Sequence, residues 1–141
     1  MIELYTDGAC IGNPGPGGWG AVLLRNGQIT EISGDQPSTT NNQMEITAVI
    51  KGLNRLPAGE AVCVVSDSTY VINTMTKGWK RNANRSLWEE LDVAVNQRDV
   101  TWRWVKGHSG NLHNDLADRL AHNAARDLAD SAQTVTGPSN D

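Results

Sequence analysis

Four carboxylates, Asp7, Glu45, Asp67 and Asp118, stand where solvated acids do not usually sit. Asp7 follows Ile2-Glu3-Leu4-Tyr5-Thr6, whose alternation has the period of a strand. Asp67 follows the apolar run Ala61-Val62-Cys63-Val64-Val65-Ser66, which suits a strand buried on both faces in the parallel part of a sheet. Glu45 shares a helical face with Ala48, Val49, Leu53 and Leu56, and no lysine stands at the usual helical spacing to pair with it. Asp118 lies at the margin of a stripe formed by Ala117, Leu120, Ala121, Ala124, Ala125 and Leu128. Two parallel neighbouring strands would bring Asp7 and Asp67 out at one sheet edge, where the other two acids could join them. Carboxylates crowded in this way cannot all ionise without a cation. Acids without a histidine–cysteine set favour a hard ion, Mg²⁺ or Mn²⁺, over zinc. Two such ions close together suit displacement at phosphorus. His108, in the loop Gly107-His108-Ser109-Gly110, suits a proton shuttle beside such a cluster. Plainer readings stand beside these. Asp7 caps a wide turn, Glu45 is a helix N-terminal acid worth about 0.3–1 kcal/mol, and His108 is an incidental loop residue.

The elements that would position these groups can be read in chain order. After Asp7, the stretch from Gly8 to Gly18 holds five glycines and two prolines, a shaped turn rather than a loose one. Gly18–Arg25 reads as a second strand, Asn26-Gly27 as a hairpin turn, and Gln28–Gly34 as a third strand. Pro37–Asn42 is a polar connection, and Thr40 with Gln43 forms a capping box for a helix running to about Leu56. Ala61–Ser66 is the fourth strand, followed by a short helix over Ser68–Lys77 that Gly78 ends. Ser86 with Glu89 is a second capping box, for a helix to about Gln97. Val100–Lys106 alternates as a fifth strand, and Leu112–Asp130 is the last helix. The order implies one α/β domain over residues 1–130. Its mixed five-stranded sheet joins an antiparallel meander to parallel strands, with helices on both faces. Residues 131–141 read as a disordered tail. His113 and His122 read as helix surface, as do Glu89, Glu90, Asp92 and Asp115.

With 141 residues, 38% of them hydrophobic, the chain can bury a real core. No apolar run reaches membrane-spanning length, and no signal-peptide pattern opens the chain. Cys10 and Cys63 make no disulfide framework, so the cytoplasm is the default compartment. A net charge of −4 argues against a general electrostatic hold on nucleic acid. Lys77, Lys80, Arg81 and Arg85 nevertheless fall in a stretch free of acids, with Trp79 among them. This is either a solvated helix end or a phosphate-tracking patch with an aromatic for stacking.

Taken together, these motifs resemble type 1 ribonuclease H of the bacterial kind. Thr6-Asp7-Gly8-Ala9-Cys10, continuing to Gly12-Asn13-Pro14-Gly15-Pro16-Gly17-Gly18-Trp19-Gly20, resembles the family's opening motif. Thr39-Thr40-Asn41-Asn42-Gln43-Met44-Glu45 resembles its second and Ser66-Asp67-Ser68-Thr69-Tyr70-Val71 its third. Trp102-Arg103-Trp104-Val105-Lys106-Gly107-His108-Ser109-Gly110, with Asn114 and Asp118, resembles its last. The resemblance implies the ribonuclease H-like fold and cleavage of the RNA strand of an RNA·DNA hybrid. It implies two Mg²⁺ ions, with Mn²⁺ as a substitute, and products with 5′-phosphate and 3′-hydroxyl ends. Asp7, Glu45, Asp67 and Asp118 match the metal-binding carboxylates, and His108 matches the mobile catalytic histidine. Cys10, Asn13, Asn41 and Asn42 match positions that line the hybrid, while Thr40 and Asn84 match positions that hold a DNA-strand phosphate. Some members carry a long basic protrusion; here only Lys77, Trp79, Lys80, Arg81 and Arg85 occupy that place.

Three other readings fit the residues less well. A pure hybrid-binding module gains nothing from four acids facing phosphate. A sugar-kinase-like or actin-like ATPase needs a second phosphate loop and usually a second domain, and this chain has room for neither. A haloacid-type phosphatase would need an acid two residues after Asp7, where Ala9 stands. The expected partner is an RNA·DNA hybrid, without a membrane, and a monomer is the default.

Overall fold

The computed structural model describes residues 1–135; residues 136–141, the greater part of the segment read as a tail, lie outside the described residues. Five strands form one sheet: β1 (Ile2–Cys10), β2 (Gly15–Arg25), β3 (Gln28–Thr39), β4 (Ala61–Ser66) and β5 (Asp99–Trp104). Their spatial order is β3-β2-β1-β4-β5. β1 and β3 run antiparallel to β2, while β4 is parallel to both β1 and β5. Four helices complete the fold: α1 (Asn41–Leu53), α2 (Thr69–Lys77), α3 (Arg85–Asn96) and α4 (Leu112–Val135). The mixed sheet with helices on both faces is the expected architecture, and β4 has the expected bounds.

The antiparallel strands are longer than the sequence suggested. β1 does not stop at Asp7 but pairs with β2 as far as Cys10, opposite Gly17. Its parallel pairing with β4 ends at Thr6 opposite Ser66. Asp7 therefore lies where one neighbour ends and the other continues. β3 runs through Pro37 to Thr39, with a register shift between Gly15 and Gly17 on the partner strand. Proline is tolerated there because β3 is an edge strand, and its missing N–H costs no ladder bond on the open side.

Thr40 caps α1 as expected, its hydroxyl accepting from the Gln43 N–H at 3.2 Å. Ser68 caps α2 in the same way, and Gly78 ends it in the left-handed region. The second capping box is corrected. α3 begins at Arg85 behind Asn84, which has φ 61° and makes no side-chain cap bond. Ser86 and Glu89 therefore lie inside the helix. The Asn84 amide is engaged elsewhere, accepting from Gln43 Nε2 and donating to the Tyr70 hydroxyl, each at 3.1 Å. α4 continues past Asp130 to Val135.

Alternation along β1 divides the core. Ile2 and Leu4 point to the α1 side and pack with Ile46, Val49, Leu53, Trp88 and Leu91. Tyr5 points to the α4 side with Val22, Val65 and Ala117. α4 seats its backbone directly on β2. A Cβ on Gly20 would lie 2.5 Å from the Ala117 carbonyl oxygen, and one on Gly18 would lie 2.3 Å from that of Ala121. Ala117, Ala121 and Ala125 are buried, as the stripe predicts, while Leu120, Ala124 and Leu128 are half-buried.

Candidate active site

Each acid is delivered by a different element. Asp7 and Asp67 emerge side by side because Thr6 and Ser66 are the last partners of the parallel pair. Glu45 arrives from the first turn of α1. That helix can come so close because Gly8 has no side chain: a Cβ there would lie 2.5 Å from the Glu45 nitrogen and 2.6 Å from the Met44 carbonyl carbon. Carboxylate oxygens of Asp7, Glu45 and Asp67 lie within 4.8 Å of one another, the one group of this kind among the described residues. Asp118 stands beside Asp7, near enough to share a hydrogen bond. It lies outside that tightest group, and its Oδ1 is 3.2 Å from His122 Nδ1.

Among the described residues no lysine or arginine forms an ion pair with these acids. Asp7 is only 4% exposed. Burial, then the hydrogen bond shared with Asp118, then the Asp67 charge push its carboxyl up to about 8, against the opposing Gly8 N–H at 2.9 Å. Burial and the charges of Asp7 and Asp67 raise Glu45 well above the usual carboxylate range. Its Oε1 is shut off from solvent and has no hydrogen-bond partner. Burial also raises Asp67, with the Asn114 side chain pulling the other way. Crowded carboxylates with an orphaned buried oxygen fit a cation. An all-oxygen donor set without cysteine or histidine fits a hard one.

Motif residues to which the sequence assigned no role of their own, Asn114, Trp104 and Gly107, surround Asp67. Asn114 is 1% exposed and donates to the Asp67 side chain. It stands three residues before Ala117 and seven before Ala121, so an amide on an alanine stripe was the available signal. The Trp104 indole N–H donates to the Asp67 carbonyl at 3.1 Å. The loop after β5 passes so close that a Cβ on Gly107 would lie 2.7 Å from Asp67 Oδ2. His108 follows with φ 55° and stands close to Asp67. Two residues read as surface are not simply so. His113 is half-buried against the Tyr5 ring at 5.1 Å, and Asp115 keeps an oxygen buried without a partner. His122 is exposed as expected, yet it contacts Asp118.

The residues expected to line a substrate fall into two groups. Around the glycine turn, the Cys10 sulfur lies 3.3–3.4 Å from the carbonyl oxygens of Gly12, Gly15 and Thr39. Asn13 Oδ1 accepts from the Asn41 N–H at 3.0 Å, joining the turn to the start of α1. Asn41 and Asn42 are exposed beside it. Thr40 and Asn84 meet through Gln43, which bonds to both. The second group is the basic stretch, where Lys77, Trp79, Lys80 and Arg85 are exposed.

Arg81 differs from its neighbours. Its guanidinium grips Asp92 through two contacts, at 2.6 and 3.1 Å, and lies 5.3 Å from the Trp88 ring centroid. It ties the stretch to α3. Arg81→Gln is expected to cost about 1 kcal/mol in urea unfolding, whereas Lys77→Gln should stay within about 0.5 kcal/mol. Equal costs would remove the anchoring role.

The sequence and the arrangement of strands and helices agree with known proteins. The family model RNase H matches residues 1–126. A ribonuclease H of Hyphomonas neptunium is 48% identical, over 86% of this chain and 89% of its own length. One from Legionella pneumophila is 45% identical, over 91% of this chain and 99% of its own. The N-terminal RNase H domain of a Mycobacterium tuberculosis protein superimposes with a TM-score of 0.83 at 31% identity, covering 93% of this chain and 97% of that one. LC11-RNase H1, solved in complex with an RNA/DNA hybrid, gives a TM-score of 0.79 at 26% identity, covering 92% of this chain and 99% of that one. On sequence, fold and the convergence of its carboxylates, the chain belongs to the RNase H family of ribonucleases.

Proposed function

We propose that the chain is an endonuclease that hydrolyses the RNA strand of RNA·DNA hybrids with two divalent ions, leaving 5′-phosphate and 3′-hydroxyl ends. The observation that carries this reading is the uncompensated cluster of Asp7, Glu45 and Asp67, with Asp118 beside it. These four carboxylates would hold Mg²⁺, with Mn²⁺ as a substitute. Bound there, the ions supply the positive charge that offsets the acids and polarise water and phosphate for displacement. Asn114 and Trp104 keep Asp67 aimed, the first through its side chain and the second through its carbonyl. His108, on a glycine-flanked loop against Asp67, takes and returns a proton at its ring nitrogen.

Choice of strand fits the same surface. The 2′-hydroxyl marks RNA and is displayed in a wide, shallow minor groove. Cys10, Asn13, Asn41 and Asn42 cluster at the glycine turn, near the acids, where polar and backbone groups can reach it. Thr40 and Asn84 would hold a phosphate of the DNA strand. Lys77, Lys80 and Arg85, with Trp79, would track that strand further on, steadied by Arg81. Replacing Lys77, Lys80 and Arg85 by glutamine should weaken hybrid binding and lower the slope of log affinity on log salt by about 2–3. An unchanged slope would make the stretch a plain solvated surface. A domain over residues 1–130 is consistent with where these groups lie. Among the described residues no helix is long and apolar enough to cross a membrane.

The direct test uses one labelled RNA in three forms: single-stranded, paired with RNA, and paired with DNA. Each is incubated with Mg²⁺ or with chelator. Metal-dependent internal cuts confined to the RNA·DNA duplex are expected. Cuts in the other forms, or tight hybrid binding without cutting, would overturn the reading.

A further inference from the structure

We propose that the outer face of α4 carries a groove for the phosphodiester backbone of the RNA strand where it runs on from the acid cluster, with Arg119 and Arg126 as its phosphate-binding groups. This rests on the hydrolysis reading above and extends it to a part of the substrate path that the acids do not touch. The groove encloses about 600 Å³ and is continuous with the site, because Asp118 and His108 line its near end. Asp115, Arg119, His122, Asn123 and Arg126 form the rest of its wall.

Arg119 and Arg126 are seven residues apart, two turns along one helical face, about 10.5 Å along the axis. A nucleic-acid strand advances about 3.4 Å per nucleotide, so the pair spans about three linkages. Both are exposed, and neither makes an ion pair among the described residues. By contrast, Arg25, Arg81 and Arg103 are held by Glu60, Asp92 and Glu3. Asp115 also lines the groove, one turn before Arg119, so Arg126 stands farthest from the acids of the wall.

Direction supports the assignment. Ala117 of α4 sits over Gly20, which pairs with Asp7, and Ala125 sits over Gly18, which pairs with Ala9. Passing along α4 from Asp118 to Arg126 therefore follows β1 from Asp7 towards Cys10 and the glycine turn. The groove leads along the face proposed to meet the hybrid, not away from it. The strand entering it is the one whose linkage lies at Asp118, which is the RNA.

The test measures binding in an Asp7→Asn background, so that the hybrid survives. Affinity for an RNA·DNA duplex is titrated against KCl, with and without Arg119→Gln plus Arg126→Gln. Arg25→Gln plus Arg55→Gln, at the far end of the sheet, makes the same change in net charge. The groove pair should lower affinity about tenfold at moderate salt and reduce the log–log slope by about 2, while the control pair changes affinity less than about twofold. Placing neutral methylphosphonates at the three RNA linkages on either side of the cut site should abolish the difference between groove variant and background. Equal effects of the two pairs would overturn the groove, as would a groove effect that persists on the neutralised RNA. If the wild type fails to cut hybrids but the groove pair still weakens binding as described, the hydrolysis reading falls and the groove stands. No hybrid binding by any variant would overturn both.

Discussion

Asp7→Asn should abolish cleavage, by at least about 10³-fold in kcat, while making the metal-free protein more stable. The two effects have one cause. Asp7 is buried among acids that raise its carboxyl to about 8, so in the absence of a cation its ionised form works against the fold. The sign follows from linkage. Between the unfolded value of 3.8 and about 8, the native state holds the proton more tightly than the unfolded chain. Stability of the metal-free wild type therefore falls as pH rises through that window, and the loss is complete above it. Asparagine keeps the shape and removes the charge. In chelator the variant should equal the wild type near pH 4 and exceed it by about 2 kcal/mol at pH 8. Saturating Mg²⁺ should stabilise the wild type and narrow the gap, because an ion bound only by the folded state adds its binding free energy. Urea unfolding across pH, with and without Mg²⁺, measures this. A variant less stable than the wild type at pH 8 in chelator would mean that Asp7 is structurally supported by something other than a metal.

Gly8→Ala is expected to be nearly as damaging to activity, for the opposite reason. The substitution adds one methyl group and no charge, at a residue of ordinary negative φ. That methyl would meet the backbone of Met44 and Glu45 at 2.5–2.6 Å, and backbone has no rotamer to yield. α1 must move outward at its first turn, carrying Glu45 away from Asp7. A cost of about 3 kcal/mol is expected in chemical unfolding. A shift of about 1 Å in a positioned group is enough to lose about 10²-fold in kcat. The required Mg²⁺ concentration should rise as well. Stability within about 0.5 kcal/mol of the wild type, with unchanged Mg²⁺ dependence, would show that the close approach does not hold Glu45.

Much of this site is legible in the chain because its acids violate local patterns. Asp67 directly follows an apolar strand, Asp7 follows an alternating run although β1 continues beyond it to Cys10, and Glu45 interrupts an apolar helical face. The capping hydroxyls of Thr40 and Ser68, the Asn26-Gly27 turn and Gly78 fix element ends by short-range chemistry, which sequence records directly. What escapes is set by distant partners. The acid-free stretch around Arg81 looked uniform because Asp92, which grips it, is eleven residues away. Asn84 could not be read as the residue preceding α3, because the groups that hold its amide, Gln43 and Tyr70, belong to α1 and α2. β3 extends through Pro37 because, among the described residues, it is an edge strand with no further strand outside it, a fact about topology rather than about local propensity. Asn114 was visible as part of a motif, but its aim at Asp67 depends on the docking of α4.

The seating of α4 on Gly18 and Gly20 also has a temporal meaning. All five strands and three of the four acids are encoded before Val105, so a chain growing from its N-terminus carries the whole sheet before α4 exists. Until then Tyr5, Val22 and Val65 present an uncovered apolar surface, and Asp67 lacks Asn114. The contact between α4 and β1 then closes a loop of roughly a hundred residues, the slow kind of event in a folding chain. Asp118 arrives with that final docking. On the proposed reading, the acid cluster is complete only once α4 has docked, so cleavage waits on a contact that forms after the sheet is encoded.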